Sequence, residues 1–385
     1  MSADPQVFAT PAQHARLENI EALRALAVLA VMLYHYTARY PLEYLHFAEP
    51  VWPLRYGYMG VELFFIISGY CIYMTATHCR SLALFWARRF SRLQPAFMAC
   101  IVITFCIVAY VGLPDRRVDW IAALANMAWL PAVGLTPPVD GVYWSLMVEL
   151  KLYLLFGLVY FGLRGRGDPV VWWTVLFLVG ACIRTWDVQY NGAQIIRGTF
   201  TLGTFAFPYS GFFMVGMLIY RWDSTPRWLK LVAVPAFAWA CYAATNTWTE
   251  RALLFALLPI SKFALDWQNL HVPKALVFIG FISYPLYLLH NNVGLVVLRE
   301  TALAIPSEYL RIALACAVSL LLATLVSLTV EHRFRKQLER PIERFLALLF
   351  GAPSRLRSAD SATPGNAGDT IATPDRANGG KTNPS

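Results

Sequence analysis

The run Asn19-Ile20-Glu21-Ala22-Leu23-Arg24-Ala25-Leu26-Ala27-Val28-Leu29-Ala30-Val31-Met32-Leu33-Tyr34-His35-Tyr36 decides the class of this protein. It is apolar almost throughout, and as a helix rising about 1.5 Å per residue it covers most of a bilayer's hydrocarbon core. Yet it holds Arg24 and His35. Ionisable groups in such a run are costly and tend to mark function. Eleven residues at about 100° each make roughly three turns, so both side chains share a face, about 16 Å apart along the axis. One helix therefore presents a fixed cation near the inner surface and an imidazole deeper in. One reading is an anion clamp with a general base, a role that suits a group titrating near neutrality. The other is an arginine that snorkels to the interface and a histidine bonded to a backbone carbonyl.

The rest of the chain extends this pattern. Of 385 residues, 58% are hydrophobic and 14% charged, against about a half and a quarter in soluble domains. An ordinary soluble enzyme, a disordered chain and a disulfide scaffold are excluded. The net charge of +9 does not point to nucleic acid. Its basic residues fall in clusters between apolar runs, such as Arg80, Arg88, Arg89 and Arg92, as the positive-inside rule places them. Thirteen Trp and nineteen Tyr suit aromatic belts at the bilayer interfaces. The seven cysteines form no CxxC or Cys/His zinc spacing, so no metal is expected. No cleavable signal is evident ahead of the first run, which reads as a retained span.

Apolar runs at about 20–38, 58–77, 96–113, 143–163, 170–187, 201–220, 229–246, 251–266, 275–297 and 309–330 predict an all-α polytopic membrane protein. About ten transmembrane helices are expected. The stretch 120–135 is short and holds Asn126 and Pro131. If it crossed, every later basic cluster would face outward, so it reads as a re-entrant or interfacial segment. Both termini are then cytoplasmic. Residues 1–18 are a polar, frayed N-terminal segment, 19–345 the membrane domain, and 346–385 a disordered cytoplasmic tail in which Ala, Gly, Thr, Ser and Pro dominate from Gly351. The basic amphipathic segment 331–350 is expected along the inner membrane surface. With no long segment outside the membrane, a catalytic site has to lie among the helices.

Several further residues stand out on that ground. Glu62 lies near the outer end of the second run, where it can pair with His35 or a substrate hydroxyl, or sit in interfacial water. Arg89 and Arg92, three apart on one helical face, can grip phosphates in a forked geometry or serve as ordinary inside charge. Glu149 sits inside an apolar stretch, where it can orient His35, contact the acceptor, or bond a neighbouring helix. His290 reads as a packing residue or a site residue near the outer face.

Together these segments resemble the membrane acyltransferase 3 family. The motifs, in order, are Leu23-Arg24…His35; Gly60-Val61-Glu62-Leu63-Phe64-Phe65…Ser68-Gly69-Tyr70; Arg89-x-x-Arg92…Pro95; Trp144-Ser145-Leu146…Glu149…Tyr153; Ser283-Tyr284…Leu286-Tyr287-Leu288…His290; and Leu338-Glu339-Arg340-Pro341. Each alone is weak, but six in order over about 17–345 are specific. The resemblance implies a bacterial inner-membrane protein with no permanently bound cofactor. It would move an acyl group, often acetyl, from cytoplasmic acyl-CoA to a hydroxyl of an envelope or secreted glycan or a small glycoside. Lipopolysaccharide, peptidoglycan and exopolysaccharide are among the family's acceptors. It also implies that the Arg24/His35 pair is required for activity and that Arg89 and Arg92 handle the acyl donor. Trp144, Ser145, Tyr153, Tyr284 and His290 follow as further site candidates. Two departures stand out. Glu62 replaces the family's usual Asp, and either Glu331 or Glu339 can be the acid near the C-terminus. Some members append a periplasmic hydrolase-like domain; with only the tail after the membrane domain here, transfer is expected to be completed within the membrane.

The expected mechanism has Arg24, Arg89 and Arg92 holding the phosphates of acetyl-CoA. His35 acts as base or accepts the acyl group itself, while Glu149 and Glu62 orient the imidazole. Two readings of other classes remain: a secondary transporter, which usually shows pseudo-symmetric repeats that this chain lacks, and a non-catalytic partner of a glycan synthase.

Overall fold

The computed structural model describes residues 11–40, 54–191, 208–267 and 271–350, and among these the regular structure is entirely helical. In chain order the helices are α1 (Pro11–Tyr34), continued by a π-helical turn (His35–Arg39), α2 (Gly60–Thr77), α3 (Leu82–Tyr110), α4 (Trp120–Met127), α5 (Tyr143–Gly162), α6 (Pro169–Asn191) and α7 (Pro208–Tyr220). There follow α8 (Arg227–Ala244), α9 (Trp248–Asp266), α10 (Lys274–Phe281), α11 (Ser283–Glu300), α12 (Glu308–Val326) and α13 (His332–Phe350).

Each of the ten apolar runs contains a helix. Four stretches among the described residues are long and apolar enough to cross a bilayer by themselves: Leu54–Thr77, Leu82–Tyr110, Tyr143–Gly162 and Glu308–Glu331. A fifth is added if α10 and α11 count as one span; they meet at a 72° bend. The expected single span 275–297 is therefore broken. The cause lies in Pro285, which has no N–H to donate to the carbonyl of Phe281 and whose ring crowds it. The other helices are shorter or carry more charge, as α1 does with Arg16, Glu18, Glu21 and Arg24. The stretch 120–135 forms the eight-residue α4 and a 3-10 turn, Leu130–Val133, each too short to cross.

Helix α1 begins at Pro11, so residues 11–18 are helical where the sequence predicts fraying; Ala, Gln, Arg, Leu and Glu there are good helix formers. Residues 1–10 and the tail 351–385 lie outside the described residues. At the other end, α13 runs to Phe350, five residues into the expected tail. It packs on α3, tethered by ion pairs Arg80–Glu343 (3.1 Å) and Arg88–Glu339 (3.4 Å).

The core forms where α1, α2, α3, α5, α7 and α11 converge. Helices α2 and α7 cross in close contact at glycines. A Cβ on Gly69 would stand 1.9 Å from the carbonyl oxygen of Phe213, and one on Gly216 would stand 1.9 Å from that of Ile66. Small residues allow helix backbones to approach this closely. Next to Gly69, Ser68 donates a hydrogen bond to Glu149 of α5.

Candidate active site

A cavity lies between α1, α2, α3, α5 and α11, with about 760 Å³ of space between its walls once the open solvent at its mouth is included. Arg24, Arg89, Arg92, Ser145, Glu149, Tyr153 and Tyr284 all line it. Four helices thus bring seven of the sequence candidates to one place. Helical spacing explains why: Ser145, Glu149 and Tyr153 recur every four residues on one face of α5, and Arg89 and Arg92 are three apart on α3.

The cavity's cations differ in how they are held. Arg24 pairs with Glu21 at 3.3 Å. Arg89 is buried; its guanidinium donates to the Cys71 carbonyl (3.0 Å) and to the Thr75 hydroxyl, and it lies 5.5 Å from the ring centre of Tyr153. Arg92 lines the cavity half-buried, with no hydrogen bond or ion pair to the described residues. Glu149 accepts hydrogen bonds from the hydroxyls of Ser68 and Tyr153. Three guanidinium groups against one carboxylate leave the lining net positive, which suits an anionic ligand.

His35 does not line this cavity. It opens the π-helical turn after α1 and meets His290, with ring centres 5.0 Å apart. His290 is fully buried and its Nδ1 lies 2.8 Å from the Tyr287 carbonyl. That acceptor places a proton on Nδ1 and leaves a lone pair on Nε2. His290 Nε2 lies 3.2 Å from His35 Nδ1, which is also 2.9 Å from the Val31 carbonyl. Both neighbours are acceptors, so His35 carries its proton on Nδ1 and keeps the Nε2 lone pair for chemistry. Tyr287 joins the two regions: it lines the cavity and its ring lies 5.5 Å from that of His290.

Other predicted contacts do not form. Glu149, expected to orient the imidazole, faces the cavity with Ser68 and Tyr153, because its helical face turns away from the end of α1. Glu62 is buried at the start of α2, its Oε2 without a hydrogen-bond partner among the described residues, and it does not bond His35. His290 takes the orienting place instead. Trp144 is partly exposed and packs on Tyr209, ring centres 5.1 Å apart. Ser145 shares a 2.7 Å hydrogen bond with the Tyr287 hydroxyl, and Tyr284 donates to the Leu93 carbonyl at 3.1 Å. Of the two C-terminal acids, Glu331 accepts from Ser327 at 3.1 Å and Glu339 pairs with Arg88 outside the cavity lining. Among the described residues no group of three or more His, Cys, Asp or Glu side chains gathers as a metal site.

Sequence reasoning passed over Ser68 and Tyr287 as individuals, although both stand inside quoted motifs. It also missed Tyr36, whose hydroxyl donates to the His290 carbonyl at 2.7 Å. Gly294 makes room for it: a Cβ at that position would lie 2.0 Å from the Tyr36 hydroxyl.

A family model described as an acyltransferase domain matches residues 17–328. The O-acetyltransferase OatA of Staphylococcus aureus is 32% identical over 182 residues, 42% of this chain and 28% of that protein. The peptidoglycan O-acetyltransferase OatA of Listeria monocytogenes is 32% identical over 157 residues, 36% of this chain and 23% of its own length. The acyltransferase MdmB of Streptomyces mycarofaciens is 26% identical over 181 residues, 45% and 46% of the two chains. The match thus spans about a quarter of the OatA relatives and under half of MdmB. No solved structure matches.

Proposed function

Since the chain belongs to the acyltransferase-domain family, we propose that it transfers an acyl group, acetyl by preference, from acyl-CoA to a hydroxyl of a glycan or glycoside. In this reading the donor enters from the cytoplasm and the protein sits in a bacterial inner membrane, with ten crossings and both termini cytoplasmic. The observation that carries it is the gathering of Arg24, Arg89, Arg92 and Glu149 in one net-positive cavity that Tyr287 joins to a tautomer-defined His35–His290 pair. Relatives named as O-acetyltransferases, one of them a peptidoglycan O-acetyltransferase, support hydroxyl acylation.

The phosphates of the donor suit the three arginines, and the thioester points toward Tyr287 and the histidines. His35 Nε2 takes the proton of the acceptor hydroxyl as its oxygen attacks the thioester carbonyl. The new C–O bond forms, the C–S bond breaks, and the proton passes on to the departing CoA sulfur. The imidazolium formed on the way is stabilised through Nδ1 by the Val31 carbonyl and His290.

Donor binding separates this reading from a transporter or scaffold. Acetyl-CoA is expected to raise the melting temperature of the purified protein in a concentration-dependent way, and to release CoA only when a glycan acceptor is present. No shift and no acceptor-dependent release would exclude the reading. Arg92 gives a sharper check. Among the described residues it has no hydrogen-bond or ion-pair partner to strand, so Arg92→Ala is expected to fold normally and raise KM for acetyl-CoA roughly 10–100-fold, the worth of a lost charge-assisted hydrogen bond. An unchanged donor KM would remove Arg92 from the donor site.

A further inference from the structure

Beside the His35–His290 pair lies a buried polar cluster that the acyl-transfer reading does not use. Asp140, in the turn before α5, is 1% exposed. Its Oδ1 accepts from Asn291 Nδ2 (2.5 Å) and the Val142 amide (3.1 Å), and its Oδ2 accepts from the Asn292 amide (3.0 Å). The Tyr40 hydroxyl lies 2.6 Å from both the carbonyl oxygen and the Oδ1 of Asn291, with its one proton shared between them. Arg116 closes the cluster with a 3.0 Å bond to Asn292 Oδ1.

A carboxylate this deeply buried is costly, and three N–H donors fix its direction. The bonded residues are telling. Asn291 directly follows His290, and Tyr40 directly follows the π-helical turn that His35 begins. The cluster therefore ties together the two backbone segments that carry the two histidines. Tyr36, bonded to the His290 carbonyl from the same turn, is the second tie. At about 100° per residue, a small rotation of α11 would swing His290 Nε2 off His35.

We infer that Asp140 and Asn291 are positioning residues for the acyl-transfer reaction: they set α11 against the π-helical turn and so hold His290 Nε2 on His35 Nδ1. The inference rests on the reading of His35 as the base. An anchor for the 136–142 loop alone would predict lost stability without a selective loss of turnover.

The test compares Asp140→Asn, Asn291→Asp and the double variant in the full-length purified protein. Asp140→Asn sets an amide N–H against other N–H donors. Asn291→Asp sets two carboxylates face to face. The double variant restores one donor–acceptor pair with its direction reversed. Each single variant is expected to lower kcat about 100-fold, the cost of misplacing a reacting group by about an ångström, while KM for acetyl-CoA stays unchanged. The double variant is expected to recover about tenfold of that loss. Wild-type kcat in Asp140→Asn overturns the inference. So does a double variant no better than the worse single one, or a loss that only tracks the melting temperature. If the single variants fail to fold, Tyr40→Phe removes just one hydroxyl from the cluster. A drop in kcat of about tenfold is then expected, and unchanged kcat overturns the inference. Activity in His35→Ala would sink the underlying base assignment. An inactive His35→Ala beside a fully active Asp140→Asn would sink the positioning inference alone.

Discussion

His35→Ala is expected to abolish acyl transfer while leaving donor binding intact. The imidazole bonds the Val31 carbonyl and His290 Nε2, and loss of one such bond costs about 1 kcal/mol of stability, so the variant should fold. Its catalytic cost is far larger. Loss of a positioned general base removes roughly 10²–10⁴ in rate, and more if the same nitrogen carries the acyl group. The cations lie apart from His35 in the cavity lining, so the melting shift with acetyl-CoA should persist. Acceptor-dependent CoA release from His35→Ala at near wild-type rate would make the base assignment wrong.

Gly69→Ala is expected to prevent accumulation of folded protein. The added methyl would stand 1.9 Å from the Phe213 carbonyl oxygen, and the next nearest atoms, at 2.8 and 3.1 Å, are also backbone. No side-chain rotation relieves such a contact, so α2 and α7 have to separate. Ordinary overpacking costs about 1–3 kcal/mol; prying two buried helix backbones apart exceeds that and displaces Ser68 from Glu149. Gly162→Ala is the control, since nothing stands within 4 Å of a Cβ there. The measurement is the yield of monodisperse detergent-extracted protein and its melting temperature. Equal yield and stability for Gly69→Ala and Gly162→Ala would show that the α2–α7 contact is not the constraint described.

How much of the site was legible depended on residue chemistry. Arg24 and Glu149 could be read because charge in an apolar run is expensive and calls for a reason, and Arg89 and Arg92 because three-residue spacing puts them on one helical face. Ser145 and Tyr153 entered through the family resemblance. His290 was visible as a residue but not as a partner, since its bond to His35 joins positions 255 apart. Asp140 was invisible in this sense: Thr136-Pro137-Pro138-Val139-Asp140-Gly141 reads as a polar turn, where an acid attracts no attention. The assignment of Glu149 to His35 failed because helical periodicity tells which residues share a face, not which neighbour that face meets.

The sequence by itself determined a helical, membrane-type chain, the family and the charged residues that line the cavity. Apolar length, periodicity and the rarity of embedded charge are local properties of the chain. Only the tertiary structure decided that the arginines and Glu149 share one cavity, that His35 is paired with His290 rather than with a carboxylate, and that Asp140 stands behind that pair. Those facts depend on how α11 rotates against the end of α1. That rotation is set by buried contacts between segments far apart in the chain, at Gly294, Tyr36, Tyr40 and Asn291, which no local pattern records.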